Sequence, residues 1–293
     1  KSFKNRKTLS EANGKLRGIG ISVYIEATAG SVPETSRIQI LPDGTTNVYT
    51  GSLAQGQGHE TTFAQIASQK LGIDYNKINV IQGDSEILSH GGGTGGSRSV
   101  YSGGGAILAS ADKIILKSQK IAANHFEVSD IDIDFLDGEF IVKGTDKKIN
   151  ITNIAKLAQN QEHIPNNFEL GLDETESYTS DGSTFPNGCH IVEIEVDPET
   201  GFAKIDQYTV VDDFGVVINP LVVEGQVHGG IAQGIGQALF EDTIYDKDGQ
   251  LLSGSFMDYS MPRADNIPSI SISMNEFPCK TNSLGVKGAG EAG

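Results

Sequence analysis

The sequence closes on SLGVKGAGEAG, residues 283–293, where a single carboxylate, Glu291, stands among Gly288, Gly290 and Gly293, with Lys287 as the only other charge. Glycine lets the backbone take positive φ and lets a ligand approach closely. A carboxylate presented in that way suits a general base, although the same composition also suits a solvated tail. A second stretch, GGGTGGSRSVYSGGG (91–105), has eight glycines in fifteen residues and one cation, Arg98. Backbone N–H groups with a guanidinium beside them suit a phosphate or pyrophosphate; the plainer reading of Arg98 is a surface ion pair. A third stretch, AQGQGHETT (54–62), places Gln57, Gly58, His59 and Thr61 where glycine turns give way to helix.

Several familiar chemistries are excluded. No Walker motif is present, since Gly14-Lys15 is followed by Leu16 rather than a hydroxyl residue. The Gly56-Gln57-Gly58 turn lacks the third glycine of a dinucleotide fingerprint, because Thr61 stands there. There is no G-x-S-x-G elbow, and the six histidines show no paired ligand spacing. Two cysteines, Cys189 and Cys279, cannot supply the four thiolates of an iron–sulfur cluster. The sequence thus holds no set of side-chain metal ligands and no nucleophile system. It holds glycine loops that could cradle an extended phosphate-bearing ligand, one arginine in such a loop, and one glutamate in another.

The elements that must position these loops follow from periodicity. Residues 18–28 read as a strand, and 37–41 with 46–50 as a hairpin around Pro42-Asp43-Gly44. Phe63, Ile66, Ala67 and Leu71 share one face of a helix that Gly72 can end. A short strand at 77–84 leads into the 91–105 loop, and a long amphipathic helix then runs from about Gly104 to Asn124. A small hairpin at 127–150, a helix at 152–160 and a polar loop to about 188 follow. The second half has strands at 190–197 and 202–211, and a helix opened by Asn219-Pro220 that carries Gly225, Gly229, Gly230, Gly234 and Gly236. Each interior glycine costs a helix about 1 kcal/mol against alanine, so five predict close approach by another backbone or a ligand. A hairpin over Asp248-Gly249 and a strand at 269–277 precede the terminal loop. The expected class is α+β, divided at the polar loop into 1–180 and 181–293, the second part carrying the glutamate loop.

With 22 Lys+Arg against 38 Asp+Glu among 293 residues, the formal charge is −16, which argues against a nucleic-acid partner. No segment approaches the ~18 consecutive apolar residues of a membrane span, no secretion signal is visible, and the cysteine usage weakly favours a reducing compartment, so the expected location is cytoplasmic.

The segments QGQGHETT, GTGGSRS (93–99), INPLVVEGQVHGG (218–230) and VKGAGEAG (286–293) occur in this order and at this spacing in one family. From about Gly18 to Gly293 the chain resembles the C-terminal half of the molybdenum subunit of the xanthine dehydrogenase, aldehyde oxidase and carbon monoxide dehydrogenase family. Each motif alone is weak; four in order make the resemblance specific. It implies the molybdopterin-binding fold of molybdenum hydroxylases, with two mixed sheet-and-helix subdomains. It also implies a molybdopterin cofactor, in the cytosine dinucleotide form of bacterial members, whose dithiolene holds the molybdenum without side-chain ligation. By the same resemblance Gln57, Gly58 and His59, with Thr61, lie against the pterin and metal. Gly95, Gly96, Ser97, Arg98 and Ser99 lie beside the pterin and the dinucleotide tail. Gln226 and Lys287 are further cofactor contacts, Gln226 having helix packing as its alternative. Glu291 matches the catalytic glutamate, a general base, buried enough to work near neutral pH, for hydroxylation of an N-heterocycle or aldehyde carbon with water-derived oxygen.

The family's molybdenum subunit is more than twice this length and continues past the glutamate. The resemblance therefore implies either a fragment or one half of a subunit divided over two chains, as in members resembling nicotinate dehydrogenase. The polar tract before Gly18 favours natural division. The implied partners are the other half of the molybdenum subunit, an iron–sulfur chain with 2Fe-2S clusters, an FAD chain and a small-molecule substrate, with no nucleic acid and no membrane. A second reading is a non-catalytic half that binds the cofactor and holds its partners together.

Overall fold

Alternating Ile38 and Ile40 in one strand and Val48 in the next, all essentially inaccessible, form the centre of a sheet that the periodicity predicts. The computed structural model describes residues 2–165 and 168–292; Gly293 of the terminal motif lies outside them. In chain order the elements are α1 (Phe3–Ala12), β1 (Leu16–Ile25), β2 (Glu34–Ile40), β3 (Thr46–Thr50), α2 (His59–Leu71), β4 (Ile78–Gln82) and α3 (Ser99–Phe126). Then come β5 (Ile133–Leu136), β6 (Glu139–Val142), β7 (Lys148–Asn150), α4 (Ile151–Leu157) and β8 (Leu172–Tyr178). The last are β9 (Asn187–Val196), β10 (Ala203–Asp213), α5 (Pro220–Leu239) and β11 (Ile270–Met274). The mixed sheets and helices are the expected α+β class.

The chain divides into two units that are not contiguous halves. One contains residues 28–184 and 278–288; the other contains 1–27, 185–277 and 289–293. The division expected at 180 differs from this because β1 pairs along its whole length with β9, from Leu16↔Val196 to Ile25↔Asn187, and so belongs with the second half. Long-range strand pairing of this kind satisfies every backbone group of β1 on one side, and nothing in the local sequence marks the partner.

The 28–184 unit is built on a sheet of order β4-β3-β2-β8, with β3 and β4 parallel across α2. The turn after Leu41 is as expected: Gly44 takes φ 88°, and Asp43 accepts a hydrogen bond from the Thr45 amide at 2.9 Å. β8 was not expected. Its sequence LDETESY reads as polar loop, but it is an outer strand with only Leu172 buried. The 28-residue helix α3 lies over β2, β8 and α2 and buries Ile107, Ala111, Ile114 and Ile121. Each fully buried Ile contributes about 1.5–3 kcal/mol.

The expected start of this helix at about Gly104 is corrected to Ser99, so the turn before it is helical and Gly103, Gly104 and Gly105 lie inside the helix. The reason is packing. A Cβ on Gly103 would lie 2.8 Å from Phe63 Cζ, one on Gly104 2.6 Å from Leu284 Cδ1, and one on Gly105 3.0 Å from Tyr178 Cγ or closer. The glycines cost helix propensity and gain the close docking of α2, β8 and the 278–288 segment.

In the other unit a sheet of order β1-β9-β10-β11 carries α5 on one face. Val227, Ile231 and Ile235 of α5 meet Ile205, Val210 and Phe214, and Ala292 of the terminal loop joins that core. Of the α5 glycines, a Cβ on Gly225 or Gly229 would meet nothing within 4 Å among the described residues, whereas one on Gly236 would meet Pro262 at 3.0 Å. On the opposite sheet face, the unexpected helix α1 is held by charge rather than by an apolar stripe. Arg6 pairs with Glu193, and Ser10 Oγ donates to Glu195 and accepts from Arg17 Nε at 2.9 Å, while within the sheet Arg17 itself reaches Asp206 at 2.7 Å and Glu193 at 3.1 Å. Beyond α1 that face is bare: Ile21, Val23 and Ile25 are 68%, 77% and 71% exposed. The hairpin expected over Asp248-Gly249 reduces to one bridge, Tyr245↔Leu251.

Candidate functional site

In the 28–184 unit, two helices begin directly behind glycine loops, and neither has a side-chain cap. α2 starts at His59 after Gly58 in the left-handed conformation, and α3 starts at Ser99 after Arg98. The first N–H groups of a helix have no intrahelical acceptor and carry its positive end. An uncapped start with room in front of it is an anion site. The room is present: a Cβ built on Gly56, Gly93 or Gly95 meets nothing within 4 Å among the described residues.

The loops before these starts are joined. Thr94 Oγ1 donates to the Leu53 carbonyl at 2.7 Å, and a Cβ on Gly91 would lie 2.7 Å from Gly51 Cα. Gly58, Gly93 and Gly96 take φ of 73°, 66° and 60°, as the turns demand. Ser97, at φ 54°, shares that region without being glycine, a strain of order 1 kcal/mol or more that the surroundings must hold. The holding contact is Gly288, whose Cβ, were there one, would lie 2.7 Å from Ser97 Cβ and 2.8 Å from its carbonyl carbon. Gly288 N also donates to Thr184 Oγ1 at 3.1 Å. The VKG part of the terminal motif thus belongs to this site, with Lys287 buried beside it.

Arg98 is turned inward. Its guanidinium donates to the carbonyls of Gly92 and, at 3.2 Å, Gly93, curling its own loop. His59 is 6% exposed, lies 5.0 Å from the Phe63 ring, and its Nδ1 finds no hydrogen-bond partner among the described residues. Burial lowers its pKa from the ordinary value, against smaller raising effects from Gln82 and Glu60, so the ring favours its neutral form. Gln57 accepts from the Gln55 amide across the turn. Thr61, Ser97 and Ser99 are partly buried along the two rims, while Gly95 and Gly96 are exposed.

Gln226 and Glu291 lie in the other unit. Gln226 Nε2 donates to the Gly290 carbonyl at 3.2 Å, which ties the glutamate loop to the first turns of α5. Ala292, 1% exposed, anchors the loop in the core, and Glu291 itself is exposed, unlike the buried base that was expected. Residues 57–59, 95–99 and 287 are therefore gathered in one unit, and 226 with 291 in the other. Sequence reasoning missed Glu34, a buried carboxylate at the start of β2 that accepts from Gly92 N and Ser52 Oγ in the two loops. No motif marks it; only a glutamate beside Pro33 at a strand start could have hinted at it. Among the described residues no three His, Cys, Asp or Glu side chains group to hold a metal ion.

Residues 1–268 match the family described as "Molybdopterin cofactor-binding domain", and the chain belongs to that family. All of it is 36% identical to part of the nicotine 6-hydroxylase large subunit of Paenarthrobacter nicotinovorans, covering 38% of that protein. It is 34% identical over 95% of its length to the carbon monoxide dehydrogenase large chain of Afipia carboxidovorans, covering 36% of it. In structure, 99% of the chain superposes on 38% of a chain of quinoline 2-oxidoreductase from Pseudomonas putida 86, with a TM-score of 0.90 and 32% identity. The chain thus spans less than two-fifths of the length of these relatives.

The residues present fit a molybdopterin. Uncapped helix starts and open glycine turns offer donors to a phosphate-bearing heterocycle, the buried His59 Nδ1 without a partner among the described residues offers it a further polar atom, and among the described residues no protein cluster competes for the metal. No helix is long and apolar enough to cross a membrane among the described residues.

Proposed function

We propose that this chain is the cofactor-binding part of a molybdenum hydroxylase large subunit, that it takes molybdopterin cytosine dinucleotide, and that Glu291 is its catalytic base. The observation that carries the reading is the pair of uncapped helix starts, at His59 and Ser99, behind two glycine loops in contact with each other. When bound, the cofactor would supply the metal and the two-electron redox chemistry. The chain's residues do the rest. Backbone N–H groups at 59–61 and 99–101 bind the pyrophosphate and pterin edge. His59 and Gln57 orient the pterin, and Arg98, by holding the Gly92 and Gly93 carbonyls, keeps the loop in its curl. Gln226 fixes the Gly290 carbonyl and so the direction of Glu291. A Glu291 carboxylate oxygen would take the proton of the water-derived hydroxyl whose oxygen ends on the substrate carbon, and the hydrogen displaced from that carbon would leave with its electron pair to the cofactor's two-electron chemistry.

An N-heterocycle is favoured over an aldehyde as substrate, in keeping with relatives named for nicotine and quinoline. Such heterocycles have a ring carbon made electrophilic by the adjacent nitrogen. The remaining part of the large subunit, an iron–sulfur chain and an FAD chain complete the enzyme in the cytoplasm. The bare apolar face at Ile21, Val23 and Ile25 favours such assembly. The exposure of Glu291 keeps the scaffold reading in play as the alternative. The test is elemental analysis of the native complex with CMP sought after acid hydrolysis. About one molybdenum and one CMP per chain is expected, and absence of both refutes the reading.

A further inference from the structure

The two glycine loops are gripped by one side chain. Glu34 is 2% exposed. Its Oε1 accepts from Thr35 N at 3.1 Å and Gly92 N at 3.3 Å; its Oε2 accepts from Gly92 N at 3.2 Å and Ser52 Oγ at 3.0 Å. Ser52 opens the loop that leads to α2, and Gly92 lies in the loop that leads to α3. A buried carboxylate is costly unless its lone pairs are met. Here they are met by donors from a strand end and from both loops. A carboxylate is acceptor-only, so it can receive all of these donors at once.

The seam around it excludes side chains. A Cβ on Gly51 would lie 2.6 Å from Glu34 Oε1, and one on Gly91 2.7 Å from Gly51 Cα. The residue after Gly91 is held on both sides: the Gly92 N–H by Glu34, the Gly92 carbonyl by Arg98.

We infer that Glu34 is a positioning residue for the cofactor: by holding Ser52 and Gly92 it sets the separation of the two loops, and with it the separation of the helix starts at His59 and Ser99 that would serve one dinucleotide. This rests on the reading that those loops hold molybdopterin cytosine dinucleotide. Glu34 is buried behind the loops. It acts through backbone geometry, as outer-sphere partners act on metal ligands.

The test uses the native complex with three variants, Glu34→Ala, Glu34→Gln and Gly91→Ala. Molybdenum and CMP are counted per chain, and amide hydrogen exchange is followed across residues 28–184. Glu34→Ala removes every acceptor and is expected to lower both contents about 10-fold, with faster exchange at 51–58 and 91–98 and unchanged exchange in β2, β3 and α3. Glu34→Gln keeps an oxygen toward Thr35 and Gly92, and Ser52 can turn its hydroxyl to accept from the amide. Its contents are expected within about 2-fold of wild type, a rescue by shape. Gly91→Ala leaves Glu34 intact but wedges the seam, and is expected to match Glu34→Ala in cofactor loss.

Wild-type contents in Glu34→Ala, or in Gly91→Ala, overturn the inference. So does loss of exchange protection throughout β2, β3 and α3 in Glu34→Ala, which would make Glu34 a residue of the fold alone. A wild-type complex with neither molybdenum nor CMP refutes the underlying reading instead, and the inference falls with it.

Discussion

Replacing Gly288 by alanine adds one methyl group at a point where the backbone is permissive but its surroundings are not. Gly288 is not among the residues at positive φ, so alanine meets no conformational penalty of its own. Its Cβ would stand 2.7 Å from Ser97 Cβ and 2.8 Å from the Ser97 carbonyl carbon. The Ser97 carbonyl oxygen is closer still, and carbon pairs rest at about 3.5–4.0 Å, so the segments must part by more than about 1 Å. Ser97 cannot yield cheaply, since its φ of 54° is held by this contact and by the hydrogen bond from Ala29 N to the neighbouring Gly96 carbonyl at 2.9 Å.

Overpacking costs about 1–3 kcal/mol, and a clash against backbone belongs at the upper end. At about 2–4 °C per kcal/mol for a domain of this size, the melting temperature falls by roughly 6–12 °C. A misplacement near 1 Å can cost about 10²-fold in turnover, and cofactor content should fall with it. Calorimetry and molybdenum and CMP analysis of the complex are the assays. The control is Gly229→Ala, the same change at a helix position whose Cβ would meet no other element within 4 Å among the described residues; it should stabilise by up to about 1 kcal/mol. A Gly288→Ala protein that melts and loads like wild type refutes the reasoning.

Glu291→Gln keeps shape and, on the proposed reading, keeps loading but removes the base. Rapid-reaction reduction by substrate, normalised to molybdenum, should slow by about 10²–10⁴-fold, or roughly 3–5.5 kcal/mol of barrier, and an unchanged rate would favour the scaffold. Arg98→Ala frees the Gly92 and Gly93 carbonyls and should lower molybdenum and CMP content several-fold, while turnover per filled site changes less; full loading would show that the loop holds its shape unaided. His59 has a folded-state pKa below its unfolded value of about 6.5, chiefly through burial. Its contribution to stability is therefore complete above about pH 6.5 and is lost as pH falls from there toward the folded value. Denaturant melts between about pH 7 and 5 should show a shallower loss in His59→Asn, and an identical slope would place the pH dependence elsewhere.

Local pattern alone determined the α+β class, the β2–β3 hairpin around Asp43-Gly44, the apolar face of α2, the Asn219-Pro220 start of α5, and the four glycine motifs that carry the family resemblance. These are short-range properties: a turn residue, a capping side chain or a 3.6-residue stripe acts on its own neighbours. Tertiary structure decided what depends on partners far away in the chain. β1 found β9 some 170 residues on, which took the first strand out of the expected first half. β8, polar by composition, became a strand because β2 offered it an open edge. The helix α3 began a turn earlier than local pattern suggested, taking in Gly103 as well as Gly104 and Gly105, because Phe63, Leu284 and Tyr178 lie against these glycines. Glu34 carries no motif, and its role exists only where Ser52 and Gly92 arrive beside it. The exposure of Glu291 likewise belongs to the folded chain: its type and its glycine neighbours are written in the sequence, but which surfaces enclose a carboxylate is a matter of packing between elements distant in sequence, and no local pattern encodes that.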